Sequence, residues 1–332
     1  MNTPLVSVIV PAYNHAPFVK ETIKSIINQD YSNIELLILD DGSKDQTYQI
    51  LNQLKPACET RFHNVFMSTQ NNAGIIKTLS KLVEKCQGKY ILDCASDDML
   101  CPSCISEQVN IMERNSQIIQ TLPDNYFIDA QGNRLERSYN QEDTYYPLGT
   151  NLKNYPTFAS FWKAQMPPET FYPNSFHRYE QLLIKHNFLN GSLWRAQYIK
   201  QIFPLPNYKM AEDHYINLQL SKLGTIHFVD KPLFKYRIHA TQTVKNLSLL
   251  RTYEKNLFLA ELEQVSKPEQ EQWKQILKKV WFTPSCTRKG FPGCYLERQN
   301  SFICSKRILG LLGLKFVLHT RYRYQIPTWW KD

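Results

Sequence analysis

Glycine is scarce in this chain, 11 of 332 residues, and the two common glycine-rich phosphate cradles are absent. There is no G-x-G-x-x-G and no G-x-x-x-x-G-K-[ST], which excludes the usual dinucleotide and P-loop ways of holding a phosphate. Long apolar runs are missing as well. The longest, near the C-terminus, is cut by Lys315, so nothing approaches the roughly 18 uncharged residues of a membrane span. No basic stretch precedes the apolar run from Leu5 to Val10, and that run is too short for a secretory signal. A cytoplasmic location is the expectation. The eight cysteines then read as reduced thiols. Cys101 and Cys104 have the spacing of a zinc half-site with Cys94 nearby, but no second pair completes four ligands. Pro102 between them also fits a plain turn.

What is present is the composition of a chain that buries a core. It is 42% hydrophobic, 21% charged and 13% aromatic, which excludes a wholly disordered protein, a collagen and a coiled coil. At about 150 residues per domain the length implies roughly two structural units. The net charge of 39 − 30 = +9 is uneven. From Lys274 to Lys331 there are twelve basic residues against one acid, Glu297, so the excess belongs to the C-terminal end. Such a tail implies an anionic partner: nucleic acid, an anionic lipid surface or an acidic glycan.

The first hundred residues alternate strand and helix signals. The β-branched run ending at Pro11, the runs over 34–39 and 62–67, and Tyr90 to Asp93 read as strands. Between them Val19, Ile23, Ile26 and Ile27 recur at helical spacing, as do Ile75, Ile76, Leu79, Leu82, Val83 and Cys86 ahead of Gly88. This alternation predicts an α/β fold with a parallel sheet. Residues 139–179 are aromatic and proline-rich without a clear period, 181–189 and 213–223 read as ordered helical segments, and 225–234 as extended. Beyond Asn246 the pattern is helical and basic.

Ligands of such sheets sit outside the carboxyl ends of the strands, and the polar clusters fall there. Pro11-Ala12-Tyr13-Asn14 follows the first strand, Asp40-Asp41-Gly42-Ser43 the second, and Ser96-Asp97-Asp98 the fourth. Adjacent carboxylates at Asp97-Asp98 repel, and a divalent cation shared with a phosphate relieves that cost; the alternative is an Asp pair in a turn. Asp41 could accept a hydrogen bond from a nucleotide base, and the turn explains the same residues. Glu212-Asp213 opens a helix, where acids either compensate its dipole or present a general base to a cleft. Arg237 and His239 could meet a diphosphate or cover a sheet edge.

Taken in order, Val6–Asn14, Leu39–Asp45, Asn72-Ala73-Gly74, Gly88–Ile91, Ser96–Asp98, Glu212-Asp213 and Tyr236–His239 resemble an inverting family-2 glycosyltransferase of the bacterial surface-polysaccharide type. The resemblance spans about residues 4–245. It implies a GT-A (Rossmann-like) mixed, mainly parallel sheet flanked by helices, with a mainly helical C-terminal extension. Residues 1–245 would form the GT-A domain, 1–110 its nucleotide-binding half and 111–245 its acceptor-binding half, with 246–332 as the basic extension. The implied nucleotide site is Pro11, Ala12, Tyr13, Asn14, Asp41, Asn72, Gly74, Ser96 and Asp97. The implied metal, Mg²⁺ or Mn²⁺, would sit on Asp97, Asp98 and His239, with Arg237 and Glu212 near the diphosphate. Asp213 would be the catalytic base.

The implied partners are a nucleotide-sugar donor, probed first as a UDP-sugar, and a glycan or lipid-linked acceptor; no nucleic acid is expected. Asn190 and Trp194, with the aromatics Trp162, Phe171, Tyr172, Phe176, His177 and Tyr179, would meet the acceptor. An anionic membrane surface is the expected partner of the basic C-terminal region, which would place the protein peripherally on the inner face of the cell membrane. Two departures stand out. Ala95 replaces the first acid of the D-x-D motif, with Asp93 two positions earlier pointing along the strand, and Leu79-Ser80 replaces an Arg-Asn pair, leaving Lys77 as the nearby cation. The rival classes are a sugar nucleotidyltransferase, which lacks its Gly-rich, Lys-bearing loop here, and a non-catalytic carbohydrate- or nucleic-acid-binding module, which leaves the ordered acids unexplained.

Overall fold

The structure, a computed structural model, describes residues 3–138, 145–149, 154–165, 190–206 and 212–242. Three βα units and a fourth strand open the chain: β1 (Val6–Ala12), α1 (Val19–Ile27), β2 (Ile34–Asp40), α2 (Thr47–Arg61), β3 (Asn64–Thr69), α3 (Ile75–Lys85) and β4 (Tyr90–Asp93). There follow β5 (Met99–Leu100), α4 (Cys104–Arg114), β6 (Ile118–Ile128), β7 (Arg134–Ser138), β8 (Tyr145–Pro147), β9 (Asn154–Tyr155) and α5 (Phe158–Gln165). The described part closes with β10 (Leu193–Arg195), α6 (Ala196–Ile202), α7 (Glu212–Leu223) and β11 (Thr225–Arg237).

The strands form one mixed sheet in the order β3-β2-β1-β4-β10-β6-β11-β5, with β7 to β9 branching from β6. β1 to β4 are parallel, so their carboxyl ends share an edge. β10 runs antiparallel between β4 and β6, and β11 is parallel to β6. Successive strand residues point to opposite faces, and the core divides accordingly. Ile9, Leu37, Leu39, Ile91 and Trp194 pack with α3, α6 and α7 on one face. Val8, Val10, Leu36, Ile38 and Leu92 pack with α1, α2 and α4 on the other. Burial on both faces is why these strands read as unbroken apolar runs.

β1 continues through Pro11 to Ala12 instead of stopping before the proline. Its register with β4 ends at Ile9 opposite Asp93, while pairing to β2 continues to Ala12. Pro11 therefore lies where one side of the strand has no ladder to donate to. The expected helical extension, the ordered segment over 181–189 and the aromatic candidates from Phe171 to Tyr179 lie outside the described residues, as do the side chain of Trp162 and the basic C-terminal region. No helix among the described residues is long and apolar enough to cross a membrane.

Asn190-Gly191 turns the chain into β10. Gly191 has φ +75°, and a Cβ there would come within 2.4 Å of the Phe234 ring, a side chain fully buried in β11. Gly191→Ala is expected to cost about 1–3 kcal/mol from overpacking and left-handed strain, read as a lower melting temperature.

Candidate active site

The site is assembled from loops at the shared carboxyl edge. Beyond β1, Asn14 adopts φ +54°, a left-handed conformation that Asn tolerates better than most residues. There its N–H donates to Ser43 Oγ (2.9 Å) and its Oδ1 accepts from the Lys44 N–H (2.7 Å). The Asp41 N–H donates to the Ala12 carbonyl (2.8 Å), so the loops after β1 and β2 are bound together. Asp41 itself is buried, and its carboxylate accepts from Gln70 Nε2 (2.7 Å), Ala73 N–H (2.8 Å) and Gly74 N–H (2.8 Å). It thus fixes the 72–74 loop, leaving Asn72 and Gly74 exposed beside Tyr13, half-buried Pro11 and buried Ala12. The residues expected around a nucleotide base lie along one edge, with Asp41 ordering the loop among them.

The loop after β4 carries the second cluster. Asp97 Oδ2 lies 2.9 Å from His239 Nε2 and 3.7 Å from His15 Nε2. The other ring nitrogens face hydroxyls: His15 Nδ1 is 2.7 Å from Ser96 Oγ, and His239 Nδ1 is 3.0 Å from Thr241 Oγ1. Each ring is therefore aimed with Nε2 toward Asp97, and the three ligand atoms lie within 4.8 Å of one another. Burial lowers the His15 pKa against the opposing pull of Asp97, which favours the neutral imidazole a metal requires. Burial alone would raise Asp97, but the His239 hydrogen bond and the charges of His15 and His239 hold its carboxyl below the ordinary range. Two imidazoles and one carboxylate, each ring backed by a hydroxyl, fit a divalent transition ion. His15 was missed in the sequence, where a single His beyond a loop carries no spacing signal.

Two expected members of this cluster are placed elsewhere. Asp98 is not grouped with the ligands: its Oδ1 accepts the Arg237 backbone N–H (2.8 Å) and pins the end of β11. Burial and the neighbouring Asp97 push its carboxyl well above the ordinary range. Arg237 does not reach toward a diphosphate. It is fully buried, with Nε donating to the Asp97 carbonyl (2.7 Å), Nη1 to the carbonyls of Asp129 (3.2 Å) and Ala130 (3.0 Å), and Nη2 to Glu21 Oε2 (2.6 Å). The physical reason is the β11 register, which carries the guanidinium beneath the loop where it satisfies carbonyls that would otherwise be buried unpaired. Among the described residues, no further ligand joins the Cys101–Cys104 pair. Cys104 is fully buried against Gln108 Nε2 (3.2 Å), and burial raises both thiols.

The third cluster opens α7. Asp213 is exposed, with Oδ1 accepting the His214 N–H (2.7 Å), and Glu212 is half-buried beside it. Burial, then the charges of Asp213 and Asp93, push Glu212 up to about 8. Burial, then the charge of Asp213, push Asp93 up to about 7. The Tyr236 phenol is raised by burial, then by Asp98, Tyr145, Asp97 and Asp213. One residue of β11 thus lies within the fields of both acidic clusters. Asn190 is half-buried in its turn, but Trp194 is not on a cleft wall. It is fully buried in the core, because β10 is covered on both faces.

Comparison with known proteins places this arrangement. The model of glycosyl transferase family 2 matches residues 7–167. A glycosyltransferase of Haemophilus influenzae is 31% identical over 246 residues, covering 73% of this chain and 68% of the relative. Chondroitin synthase of Escherichia coli is 31% identical over 137 residues, 41% of this chain and 19% of the synthase. Among solved structures, S. aureus TarS 1–349 in complex with UDP superposes with a TM-score of 0.55 at 17% identity, covering 92% of this chain and 80% of that one. A mannosyltransferase from Pyrobaculum calidifontis in complex with GDP-Man and Mn²⁺ superposes at 0.56 and 13% identity, covering 94% and 84%. These structures share the GT-A fold of this chain.

Proposed function

Because the chain belongs to glycosyltransferase family 2, we propose that it is an inverting enzyme of bacterial surface-polysaccharide synthesis. It moves a sugar from a nucleotide-diphosphate donor, a UDP-sugar, to a hydroxyl of a glycan or lipid-linked acceptor. The observation that carries the reading is the cluster of Asp97, His239 and His15 at the carboxyl edge of the parallel strands, whose ligand atoms lie within 4.8 Å of one another. A donor diphosphate bound there would meet the ligands of a divalent ion, with the exposed carboxylate of Asp213 at the start of α7 as the candidate base. The TarS complex with UDP supports the donor class, and the mannosyltransferase complex supports a metal.

Asn14, Asp41 and the 72–74 loop hold the nucleoside, and Asp97, His239 and His15 hold the divalent ion. When bound, that ion neutralises charge on the departing diphosphate. Asp213 takes the proton of the acceptor hydroxyl as it attacks the anomeric carbon from the face opposite the leaving group. General-base help of this kind is worth about 10²–10⁴-fold. Charge separates as the sugar acquires oxocarbenium character, so both ends of the site contribute in the transition state. The basic region from Lys274 to Lys331 draws the enzyme to anionic lipid, near a lipid-linked acceptor.

Two nitrogen ligands suit Mn²⁺ better than Mg²⁺, which takes oxygen. A thermal-shift screen of UDP- and GDP-sugars with Mn²⁺ or Mg²⁺ is expected to show one donor raising the melting temperature through linkage, more with Mn²⁺. His15→Ala should weaken Mn²⁺ binding by more than about tenfold. Release of nucleoside diphosphate with that donor supports transfer; release of pyrophosphate, or no turnover with any donor, would overturn it.

A further inference from the structure

Asp93 has no part in the reading above, yet its surroundings are constrained. Its N–H donates to the carbonyl of Ser192, the residue before β10 (3.3 Å), and the next N–H, of Cys94, to the carbonyl of Ile9 in β1 (3.1 Å). The strand end is therefore held from both sides. Its side chain shares the sheet face of Ile91, the face covered by α7. Among the described residues, Asp93 Oδ1 is buried there without a hydrogen-bond partner.

The helix above is fixed to the same place. Asn217, one turn beyond Asp213, is fully buried, and its Oδ1 accepts from Gln120 Nε2 (2.7 Å), which also lies 3.5 Å from Ser192 Oγ. Ser192 thus ties to Asp93 through its carbonyl and to α7 through its hydroxyl. Asp93, Glu212 and Asp213 cannot separate to relieve their repulsion, and protonation is the relief that remains.

We propose that Asp93 is a positioning residue for Asp213. Held on the sheet face that α7 covers, it keeps a proton that spares Asp213 a second negative charge nearby, and losing that proton sets the alkaline limit of transfer. The proposal rests on the reading of Asp213 as base. The shifts of Asp93 to about 7 and Glu212 to about 8, each caused first by burial, accord with two retained protons near neutrality. The titratable neighbours are Glu212 and Asp213 from α7, Asp98 and Cys94 from its own segment, which feel its charge, and Tyr236 from β11, which feels Asp213. All are acids, so each opposes ionisation of Asp93. A second negative charge on this edge also opposes an anionic donor.

The test compares the full-length protein with Asp93→Asn and Asp93→Leu in thermal melts without substrate and in pH profiles of kcat/KM. A carboxyl raised in the folded state contributes less stability as pH climbs through its folded value. The melting temperatures of both variants should therefore gain on the parent by about 4 °C between pH 6 and pH 8. The alkaline limb of transfer should move up by about half a pH unit or more, since Glu212 then holds the remaining proton. A melting-temperature gap that stays flat with pH, or an unmoved alkaline limb, overturns the proposal. A gap that widens while Asp213→Asn still transfers at the parental rate assigns the failure to the base reading instead.

Discussion

Asp213→Asn is expected to lower kcat by about 10²–10⁴-fold while nucleotide-sugar affinity, measured by calorimetry, stays within a few-fold of the parent. Asparagine keeps the size and the bond to the His214 N–H but cannot accept a proton. Three carboxylates meet at this end of the site, and their environments separate their roles. Glu212, held to about 8, and Asp93, held to about 7, keep protons near neutral pH and are poor acceptors of another. Asp213 is the exposed one and presents its carboxylate to solvent. Glu212→Gln should therefore cost far less than Asp213→Asn. In the proposed reading the donor's diphosphate is bound through an ion on Asp97, His239 and His15, on other loops, so the loss should fall on kcat and not on donor binding. Parental turnover in Asp213→Asn would remove the residue from the mechanism.

The parts of the fold legible in the sequence were those whose burial writes a simple pattern. β1, β2 and β4 are covered on both faces and read as apolar runs, and α3 buries one clean stripe of Thr78, Leu79, Leu82 and Val83. α2 buries only Thr47, Leu51 and Cys58 and carries Pro56 internally, so its period is faint. β6, a strand at the centre of the sheet, was illegible because it contains Pro123 and buries Gln120, Thr121, Asp124 and Asn125. Gln120, Thr121 and Asp124 are tolerated through partners on other elements: Asn217, Gln108 and the Ala159 N–H respectively. At the site, the strand-end rule located the acidic loops, but side-chain direction was set by contacts between distant segments. The β11 register turned Asp98 and Arg237 inward, the path of the chain after β1 brought His15 to Asp97, and the anchoring of α7 placed Asp93 beside Asp213.

Arg237 offers the largest stability effect. Arg237→Met is expected to cost about 3–5 kcal/mol, the range for removing one partner of a buried charged group, and to lower the melting temperature by on the order of 10 °C. The size follows from what the guanidinium satisfies. The carbonyls of Asp97, Asp129 and Ala130 would lose their donor inside the protein, and the Phe18 ring would lose the cation 5.0 Å from its centre. The ion pair with Glu21 is the smaller part, because the Glu21 side chain is 45% exposed and a solvent-screened pair is worth about 0–1 kcal/mol. Glu21→Gln should accordingly change stability by less than about 1 kcal/mol. Arg237→Lys should not rescue, since a single ammonium cannot span three carbonyls as a planar fork does. Because Arg237 holds the Asp97 backbone and lies two residues before His239, its loss should also loosen two ligands of the metal site. Mn²⁺ affinity in Arg237→Met, measured below its melting transition, should fall by about 10–100-fold, the range for groups that orient metal ligands. If calorimetry found Mn²⁺ bound as tightly as in the parent, Arg237 would hold the fold together without positioning the site.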